Sequence, residues 1–543
     1  MADGKNADPD RIAIDFGTSN TVISAWNDDL GDAETLDLPG WSKTFAADKT
    51  GERNEKVSVI PSLIHFACSG QQWIGRQVEE RDLLDAPSTV RWMKHYLAGK
   101  SPVRLNINGS SMSYFEAGEA FLRSILAQLM EHCRSRGHDA EIVFTVPVEA
   151  SEQYGDWIGT VAEKAGITRF RLIDEASAAA LAYQVSLSPG DSFMVIDIGG
   201  GTTDVSVVAV DADHSIPSKR RCRVLGKAGD DLGGIHIDRW VVQEIRKRAG
   251  IPSTGKEADV SRGLLRACEK AKEILSFEDP VCIGRDGSVG ELEEPLLFSR
   301  DDLEELLDSH DFFTRIHSTI QRAMNAAISR GYTEDRIRAV VMVGGCSAIP
   351  SIQSTLRRRF GNSRVFVDRP IDAVARGAAA FAAGTGFSDH IQHDYAIKFW
   401  NSDRSSHEFR TIVKKGTPYP STGPVATLRI RGTYEGQTQF GIPIYEIGEN
   451  GGRRGGDDLE IVADSSGSMR LIAVQARIDE GRARFWMNEN NPTFLVADPP
   501  AALNEARFEL TFGIDGNRRL LVTSRDMKTG GMVTRDHPVA RLI

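Results

Sequence analysis

Two hydrophobic periodicities alternate along the first part of the chain. Short apolar runs have the length of strands, and between them lie stretches such as residues 115–133, where apolar positions recur as on one face of a helix. The clearest strand runs are 12–16, 141–148, 193–199 and 340–345. Alternating strands and helices are typical of layered α/β proteins. The pattern therefore predicts an α/β region over residues 11–385.

The pattern changes near residue 395. Short stretches of alternating apolar and polar residues, such as 426–434 and 507–524, are separated by turns containing Gly, Asn and Asp, which indicates an antiparallel sheet or sandwich. We therefore expect an all-β sandwich over residues 395–543, joined to the α/β region by a linker at 386–394. The polar residues 1–10 are expected to form a disordered tail.

One motif occurs twice in the α/β region. The segments IAIDFGTSNT (12–21) and VIDIGGGTTDVSVV (195–208) both read as a strand ending near Asp, a Gly-containing turn with Thr, and a second strand. Asp15 and Asp197 occupy matching positions in the two segments. The repeat indicates a duplicated unit, and two similar lobes facing one cleft would follow.

Both turns have the chemistry of phosphate sites. Glycine in a hairpin turn lets backbone N–H groups approach an anion, and a neighbouring hydroxyl adds a donor. The sequence GTS at 17–19 and GGGTT at 199–203 supply these groups, and Asp15 and Asp197 can hold Mg²⁺ through its water shell. Either turn alone is equally consistent with a tight structural hairpin. The pair, with its matching aspartates, favours a phosphate-binding cleft.

Bulk composition argues against several other classes of protein. The formal net charge of −11 disfavours nucleic acid as the main partner, and no apolar run is long enough to span a bilayer, so no membrane partner is expected. The six cysteines lack C-x-x-C spacing, which favours neither a zinc site nor a disulfide framework. Because no secretory signal opens the sequence, we expect a cytoplasmic location.

The segments around the two turns resemble the seventy-kilodalton heat-shock chaperone family (DnaK-like). They occur in the family's order and cover nearly all of residues 11–385. The segments are TVRWMKHYL (89–97), FTVPVEASEQ (144–153), FRLIDEASAAALAY (170–183), MVIDIGGGTTDVSVV (194–208), AGDDLGG (228–234), CEKAKEILS (268–276), VVMVGGCSAIP (340–350) and DAVARGAAAFAA (372–383). The resemblance implies an actin-like, two-lobed ATPase domain that binds ATP or ADP with Mg²⁺, hydrolyses ATP slowly and serves the stress response.

The resemblance also implies roles for individual residues. Lys94 matches the lysine that orients the attacking water, Glu175 matches a carboxylate that arranges Mg²⁺ and its waters, and Asp15 and Asp197 match the carboxylates that hold the metal through water. Read without the family, Lys94 is an ordinary exposed base and Glu175 a helix-start residue stabilised by the helix dipole. Phosphoryl transfer mainly requires positioning and charge neutralisation, which this set would supply. The implied catalytic set is Lys94, Glu175, Asp197, Asp15, Thr202 and Asp204.

The implied nucleotide contacts include departures from the family. Glu273 and Ala348 replace two arginines, and Ile371 stands where an aspartate is usual. Losing a guanidinium that packs on the base should weaken adenine binding by about 1–2 kcal/mol. The full set of implied contacts is Gly17, Thr18, Ser19, Asn20, Gly199, Gly200, Gly201, Thr202, Thr203, Gly233, Gly234, Glu269, Lys272, Glu273, Ser276, Gly344, Gly345, Cys346 and Ala348.

The C-terminal region resembles the family's substrate sandwich, which holds an extended peptide by backbone hydrogen bonds and an apolar pocket. A plain structural sandwich is the alternative. Residues 527–543 show no helical period, so a member without the helical lid is implied. The linker SDHIQHD lacks the family's apolar run, and Gly155 replaces an arginine that relays the nucleotide state, so two recognised carriers of interdomain coupling are missing.

Three functions are consistent with these features. The leading one is an ATP-hydrolysing chaperone-like protein that holds unfolded or extended polypeptide clients, for which the family implies a J-domain co-chaperone and a nucleotide-exchange factor. The second is a nucleotide-switched interaction or scaffold protein that docks one dedicated partner. A small-molecule kinase of the same superfamily is disfavoured because the matching segments have chaperone spacing and a sandwich follows them.

Overall fold

The computed structural model describes most of the chain. The described residues are 10–46, 56–99, 101–135, 140–148, 152–167, 169–183, 190–212, 220–251, 257–260, 262–284, 292, 294–391, 393–401, 406–447, 459–463, 469–473, 484–488, 492–516 and 518–542. The predicted tail at 1–10 lies outside this set except for Asp10, which begins the first strand.

Helices occur throughout the first part of the described chain. They are α1 (Arg76–Glu80), α2 (Met93–Ala98), α3 (Tyr114–Ser135), α4 (Glu152–Lys164), α5 (Glu175–Tyr183), α6 (Gly234–Arg248), α7 (Arg262–Leu275), α8 (Arg300–Ser309), α9 (Phe312–Ile328), α10 (Pro350–Phe360) and α11 (Ala373–Ala382). No helix in the ranges given above is long and apolar enough to cross a membrane.

The strands of the same region are β1 (Asp10–Phe16), β2 (Asn20–Asn27), β3 (Asp32–Thr35), β4 (Lys43–Ala46), β5 (Lys56–Pro61), β6 (Ile64–Phe66), β7 (Gln72–Ile74), β8 (Thr89–Val90), β9 (Arg104–Ile107), β10 (Ser110–Ser113), β11 (Ala140–Val146), β12 (Phe170–Asp174), β13 (Ser192–Ile198), β14 (Thr203–Ala212), β15 (Arg220–Asp230), β16 (Glu257–Val260), β17 (Val281–Ile283), β18 (Leu296–Phe298), β19 (Ile337–Val343) and β20 (Val365–Phe366).

From residue 386 onward the described elements are all strands. They are β21 (Gly386–His390), β22 (Asp394–Asn401), β23 (Ser406–Val413), β24 (Pro418–Tyr419), β25 (Ala426–Arg431), β26 (Gln437–Ile442), β27 (Ile444–Ile447), β28 (Leu459–Ala463), β29 (Met469–Ala473), β30 (Arg484–Trp486), β31 (Thr493–Ala501), β32 (Ala506–Ile514), β33 (Arg519–Asp526) and β34 (Met532–Arg541). The mixed α/β class expected from the sequence is confirmed.

The four strands that the hydrophobic runs predict are present as β1, β11, β13 and β19, and the helix predicted over 115–133 is α3. The Ala-rich segment EASAAALAY forms α5 over its whole length. Each of these segments has a length and a composition that suit its structure, so local and tertiary preferences agree.

The two repeated motifs have equivalent neighbours in two separate sheets. In the first sheet, ordered β12-β11-β1-β2-β5-β4, β1 is parallel to β11 and antiparallel to β2. In the second, β20-β19-β13-β14-β15 are consecutive, and β13 is parallel to β19 and antiparallel to β14. Each glycine turn therefore joins the same kind of hairpin at the end of a parallel strand.

A shared apolar core lies around α5 and α11. It contains alanines of both helices together with Val143, Val195 and Val341 from the two sheets. The helices cross closely, because a Cβ added to Gly377 would lie 1.7 Å from the Ala178 carbonyl oxygen. Small residues on both helices permit this approach, so α5 has little freedom to move without α11.

The chain divides into two compact units. The first comprises 1–150, 157–387 and 457–474, and the second comprises 151–156, 388–456 and 475–543. In the second unit, the sheets β23-β22-β27-β30, β25-β32-β33-β34 and β26-β31 enclose an apolar core that includes Tyr395, Phe508 and Phe512.

The structure differs from the sequence expectation at one C-terminal segment. We expected residues 469–473 to belong to the sandwich, but β29 pairs with β16 and β28 and is part of the first unit. Alternating strands carry no information about which edge they pair with, so sequence pattern could not assign this partner. Residues 386–394, expected as a linker, include β21, whose Asp389 pairs with Tyr419 of β24.

Candidate functional site

The two glycine turns lie against each other. A Cβ added to Gly200 would lie 2.7 Å from Ser19 Oγ, and one added to Gly201 would lie 2.8 Å from Thr18 Oγ1. A side chain at either position would have to displace the Ser19 or Thr18 hydroxyl, so glycine permits the two turns to approach this closely. The repeated motifs thus meet at one place in the first unit, as the duplicated sequence pattern suggests.

A buried lysine–glutamate pair lies in the same unit. Lys94 on α2 donates to Glu175 Oε1, and each side chain is only 6% exposed. Glu175 opens α5, and Asp174 fixes this end of the helix because its Oδ1 accepts from the Ser177 backbone N–H at 2.9 Å. Asp174 Oδ2 also accepts from the buried Lys227 ammonium at 2.8 Å. The helix N-terminus therefore holds Glu175 on a fixed support.

Three further carboxylates belong to strands that lead into or out of the turns. Asp15 Oδ1 accepts from the Thr145 hydroxyl at 2.7 Å. Asp204 Oδ1 accepts from the Val148 backbone N–H at 2.9 Å, while its buried Oδ2 has no hydrogen-bond partner among the described residues. Asp197 lies directly opposite Asp204 in the β13–β14 ladder. Like charges facing each other across strands are unfavourable, so this arrangement favours a bound cation.

Burial and mutual repulsion shift the ionisation of these groups. The pKa of Asp197 is raised well above its usual range, first by burial and then by the charges of Glu175, Asp204 and Asp15. Burial likewise raises the pKa of Asp204, with Glu175 as the next cause. Burial raises the pKa of Glu175 to about 7, although Lys94 opposes the shift. One lysine faces four carboxylates, so the group is short of positive charge.

The arrangement fits a hydrated Mg²⁺ rather than a directly ligated metal. Within the ranges described, no group of three His, Cys, Asp or Glu side chains is placed to ligate a metal. Mg²⁺ usually keeps several waters and binds through one or two carboxylates and substrate phosphates. The orphaned oxygen of Asp204 and the surplus of carboxylates are compatible with that mode, in which Asp15 and Asp197 would hold the ion through water.

A second group of residues lies behind the second turn. Lys272 on α7 forms an ion pair of 2.7 Å with Asp238 on α6 and donates to the Gly234 carbonyl at 3.4 Å. Cys346 Sγ donates to the Gly199 carbonyl at 3.4 Å. Burial raises the pKa of Asp238 to about 6, against the effect of Lys272. Segments far apart in sequence therefore meet at the turn.

Two glycines of this group permit close backbone contacts. A Cβ added to Gly233 would lie 2.7 Å from the Gly201 backbone nitrogen. Gly344 has φ of +80°, and a Cβ there would lie 2.4 Å from Asp197 Oδ1 and 2.3 Å from the Ile198 carbonyl oxygen. Any side chain at Gly344 would be both strained and obstructed.

The residues expected to contact adenosine differ from one another in burial and in hydrogen-bond partners. Glu269 accepts from Arg91, whose guanidinium lies 4.1 Å from the centroid of the Trp92 ring. Glu273 is exposed on α7, and the half-buried Ser276 follows the end of that helix, where its backbone N–H donates to the Glu273 carbonyl at 3.2 Å. The α7 surface therefore presents a carboxylate at the position where the resemblance implies a stacking arginine.

Other expected contacts have varied surroundings. Thr202 hydrogen-bonds to Asp204, whereas the buried Thr203 hydroxyl donates to the Leu232 carbonyl at 2.7 Å. Exposed Asn20 opens β2, exposed Gly345 has open space where a Cβ would be, and half-buried Ala348 ends a short 3-10 turn. Thr202 and Thr203 thus have partners within the protein, while Asn20, Gly345 and Ala348 leave surface for a ligand.

Sequence reasoning missed several residues that the structure brings to the site. They are Thr145, Arg91, His95 and Asp238. The first three lie inside the segments that carry the resemblance, and Asp238 follows Gly234 by one helical turn. Their local sequences indicate only buried strand or helix positions, so pairing with partners distant in sequence could not be read from them.

The chain matches proteins of one family over most of its length. The family model described as Hsp70 protein matches residues 12–386. A relative named "Chaperone protein HscA homolog" from Methylobacillus flagellatus is 24% identical across 96% of this chain and 76% of its own length. "Chaperone protein HscA" from Escherichia coli O139:H28 is 26% identical across 95% of this chain and 76% of its own length. "Chaperone protein DnaK" from Thermosipho melanesiensis is 26% identical across 96% of this chain and 78% of its own length.

Proposed function

Because the chain belongs to the Hsp70 family, we propose that it binds ATP as its Mg²⁺ complex at the paired glycine turns and hydrolyses it slowly to ADP and phosphate. The bound ion would neutralise phosphate charge. The observation that carries the proposal is the buried Lys94–Glu175 pair in the unit where Asp15 and Asp197 flank two touching turns.

Each residue has a defined part in this proposal. The turns at 17–19 and 199–203 bind phosphate oxygens, and Asp15 and Asp197 hold metal-bound waters. Lys94 orients the attacking water against the terminal phosphate, and Glu175 helps to arrange Mg²⁺ and its waters. Thr202 contacts the phosphate, and Asp204 lies behind it. Positioning of this kind supplies most of what phosphoryl transfer needs from a protein.

We assign this activity to an actin-like domain over residues 11–385 and client binding to a sandwich within residues 395–543, without the segment 457–474 that belongs to the first unit. The relatives' names, chaperone proteins HscA and DnaK, support a chaperone-like role with polypeptide clients. By the same likeness we propose a J-domain co-chaperone and a nucleotide-exchange factor as partners.

One surface of the second unit supports the client proposal. At the end of β22, Phe399 and Trp400 are 37% and 44% exposed, and the Trp400 ring packs edge-on against His407 of β23 at 5.1 Å. Large apolar side chains exposed beside a hairpin suit an extended apolar peptide. We therefore propose this end of the β22–β23 hairpin as part of the client site.

Steady-state ATPase activity tests the proposal directly. Lys94→Ala should lower kcat by about 100-fold or more, because one charged group at the transferring phosphate is lost. Lys164→Ala is the control, since Lys164 pairs with Glu119 on an exposed helix surface. Wild-type protein without ATPase activity would contradict the proposal, as would equal rates for wild type and Lys94→Ala.

Adding an unfolded peptide to the same assay separates the two functional classes. Stimulation by many unrelated peptides is the result expected of a chaperone cycle. Hydrolysis without such stimulation, together with binding to one folded protein, would instead favour the nucleotide-switched scaffold.

A further inference from the structure

His95 is a buried imidazole beside the two glycine turns. It follows Lys94 on α2, is 7% exposed, and packs edge-on against the rings of Tyr96 and His236 at 5.1 and 5.6 Å. None of the roles assigned above uses this side chain. Its surroundings nevertheless determine that the ring is neutral and which ring nitrogen carries the proton.

The position of the proton follows from Arg239. Burial, and then the Arg239 charge, lower the pKa of His95 to about 3, so the ring is neutral near pH 7. Arg239 Nη2 lies 3.4 Å from His95 Nε2. A guanidinium can only donate hydrogen bonds, so Nε2 is the acceptor and the single ring proton resides on Nδ1.

This Nδ1–H has no acceptor in the part of the chain that the structure describes. The nearest carboxylate oxygen, Asp231 Oδ1, is 3.7 Å away on a side chain that is 55% exposed, beyond hydrogen-bond distance. A Cβ placed on Gly201 would lie 3.5 Å from Nδ1 and 2.8 Å from Thr18 Oγ1. The unsatisfied donor therefore adjoins the space that both turns border.

We propose that His95 Nδ1–H donates a hydrogen bond to an oxygen of the terminal phosphate of ATP. The proposal rests on the proposed function, which places that phosphate against Lys94, the preceding residue of α2. An unsatisfied buried donor is unfavourable, so an anionic acceptor would satisfy it. The Arg239 guanidinium behind the ring strengthens the donor, because it withdraws electron density through Nε2.

The contact distinguishes ATP from ADP without moving a proton. A neutral imidazole with a strongly depressed pKa is a poor general acid or base at neutral pH, so the role of His95 is to recognise the terminal phosphate. ADP lacks that group and gains nothing from the contact. Discrimination of the two nucleotides is the property to measure.

Calorimetric titration of the full-length protein with Mg–ATP and Mg–ADP tests the proposal. His95→Leu removes the donor and should weaken ATP binding about tenfold to a hundredfold, with ADP binding nearly unchanged. His95→Asn places an amide N–H close to the position of Nδ1 and should keep most of the affinity for ATP. His95→Gln extends its amide towards the position of Nε2 and should behave like His95→Leu.

The outcomes distinguish a failure of the proposed His95 contact from a failure of the proposed ATP-binding function. Failure of wild-type protein to bind ATP would overturn the proposed function itself. Wild-type binding with equal ATP affinity in all three variants, or with equal losses for ATP and ADP, would overturn only the role of His95. Melting temperatures of the variants identify any that do not fold; if His95→Leu is one of them, the Asn–Gln comparison decides.

Discussion

Asp197→Asn should make the nucleotide-free protein more stable while abolishing ATP hydrolysis. Asp197 is buried and lies directly opposite Asp204, with Glu175 and Asp15 as further negative neighbours. An amide has nearly the same shape as a carboxylate but carries no charge. Relieving one buried, repelled carboxylate should contribute about 1–3 kcal/mol, which for a unit of this size corresponds to a rise in Tm of roughly 1–4 °C.

The effect should depend on pH with a defined sign. Because the folded-state pKa of Asp197 is raised above its unfolded value, the folded protein binds the proton more tightly. Wild-type stability therefore falls as pH rises from the unfolded pKa through the folded pKa, whereas the Asn variant lacks this contribution. The difference in Tm should be small near pH 4 and largest above the folded pKa.

Mg–ATP should reverse the order of stability. A ligand that binds only the folded state stabilises the protein by an amount that grows with the ratio of ligand concentration to Kd. Because the Asn variant lacks one carboxylate that holds metal-bound water, Mg–ATP should stabilise it less than wild type. Scanning calorimetry at pH 5 and pH 8, with and without Mg–ATP, measures all four conditions. Asp211→Asn on β14 is the matched control. Asp211 forms a partly exposed ion pair with Arg223, and loss of that ion pair should be neutral or slightly destabilising. A nucleotide-free Asp197→Asn protein less stable than wild type at pH 8 would refute the reasoning.

Three further changes test other parts of the account. Gly344→Ala should lower Tm and nucleotide affinity far more than Gly361→Ala. Both glycines have positive φ, but only at Gly344 would a Cβ lie 2.3 and 2.4 Å from oxygen atoms. Similar losses in the two variants would show that this obstruction is unimportant. Glu273→Arg should strengthen ADP binding about tenfold by restoring a guanidinium at the adenine edge, as measured by calorimetry; unchanged affinity would place the base elsewhere. Trp400→Ala should weaken binding of a fluorescent unfolded peptide several-fold, whereas Tyr434→Ala, which truncates another exposed aromatic residue of the second unit, should not; equal effects would remove the β22–β23 hairpin from the client site.

Sequence pattern predicted the elements best where one segment carries its own structural information. The segments 12–16 and 193–199 are short apolar runs, and the segment 175–183 is rich in Ala, a strong helix former. The elements β1, β13 and α5 follow them closely. The two aspartate–glycine motifs also showed that two hairpins of one kind should meet. Their contact through Gly200 and Gly201 matches that expectation.

The pairings between distant segments could not be predicted in the same way. The Arg91–Glu269 and Lys227–Asp174 ion pairs and the Thr145–Asp15 hydrogen bond each join segments far apart in sequence. Periodicity predicts that a residue is buried but not what it faces. For the same reason β29 could be recognised as a strand while its partner, β16, could not.

Calorimetric titration of wild-type protein with ATP, in Mg²⁺ and again in excess EDTA, tests the central claim most directly. Paired glycine turns flanked by Asp15 and Asp197 should bind one ATP per chain with Mg²⁺, and much more weakly without it, because the carboxylates then repel the phosphates. Absence of ATP binding, or an affinity that chelation leaves unchanged, would contradict the account.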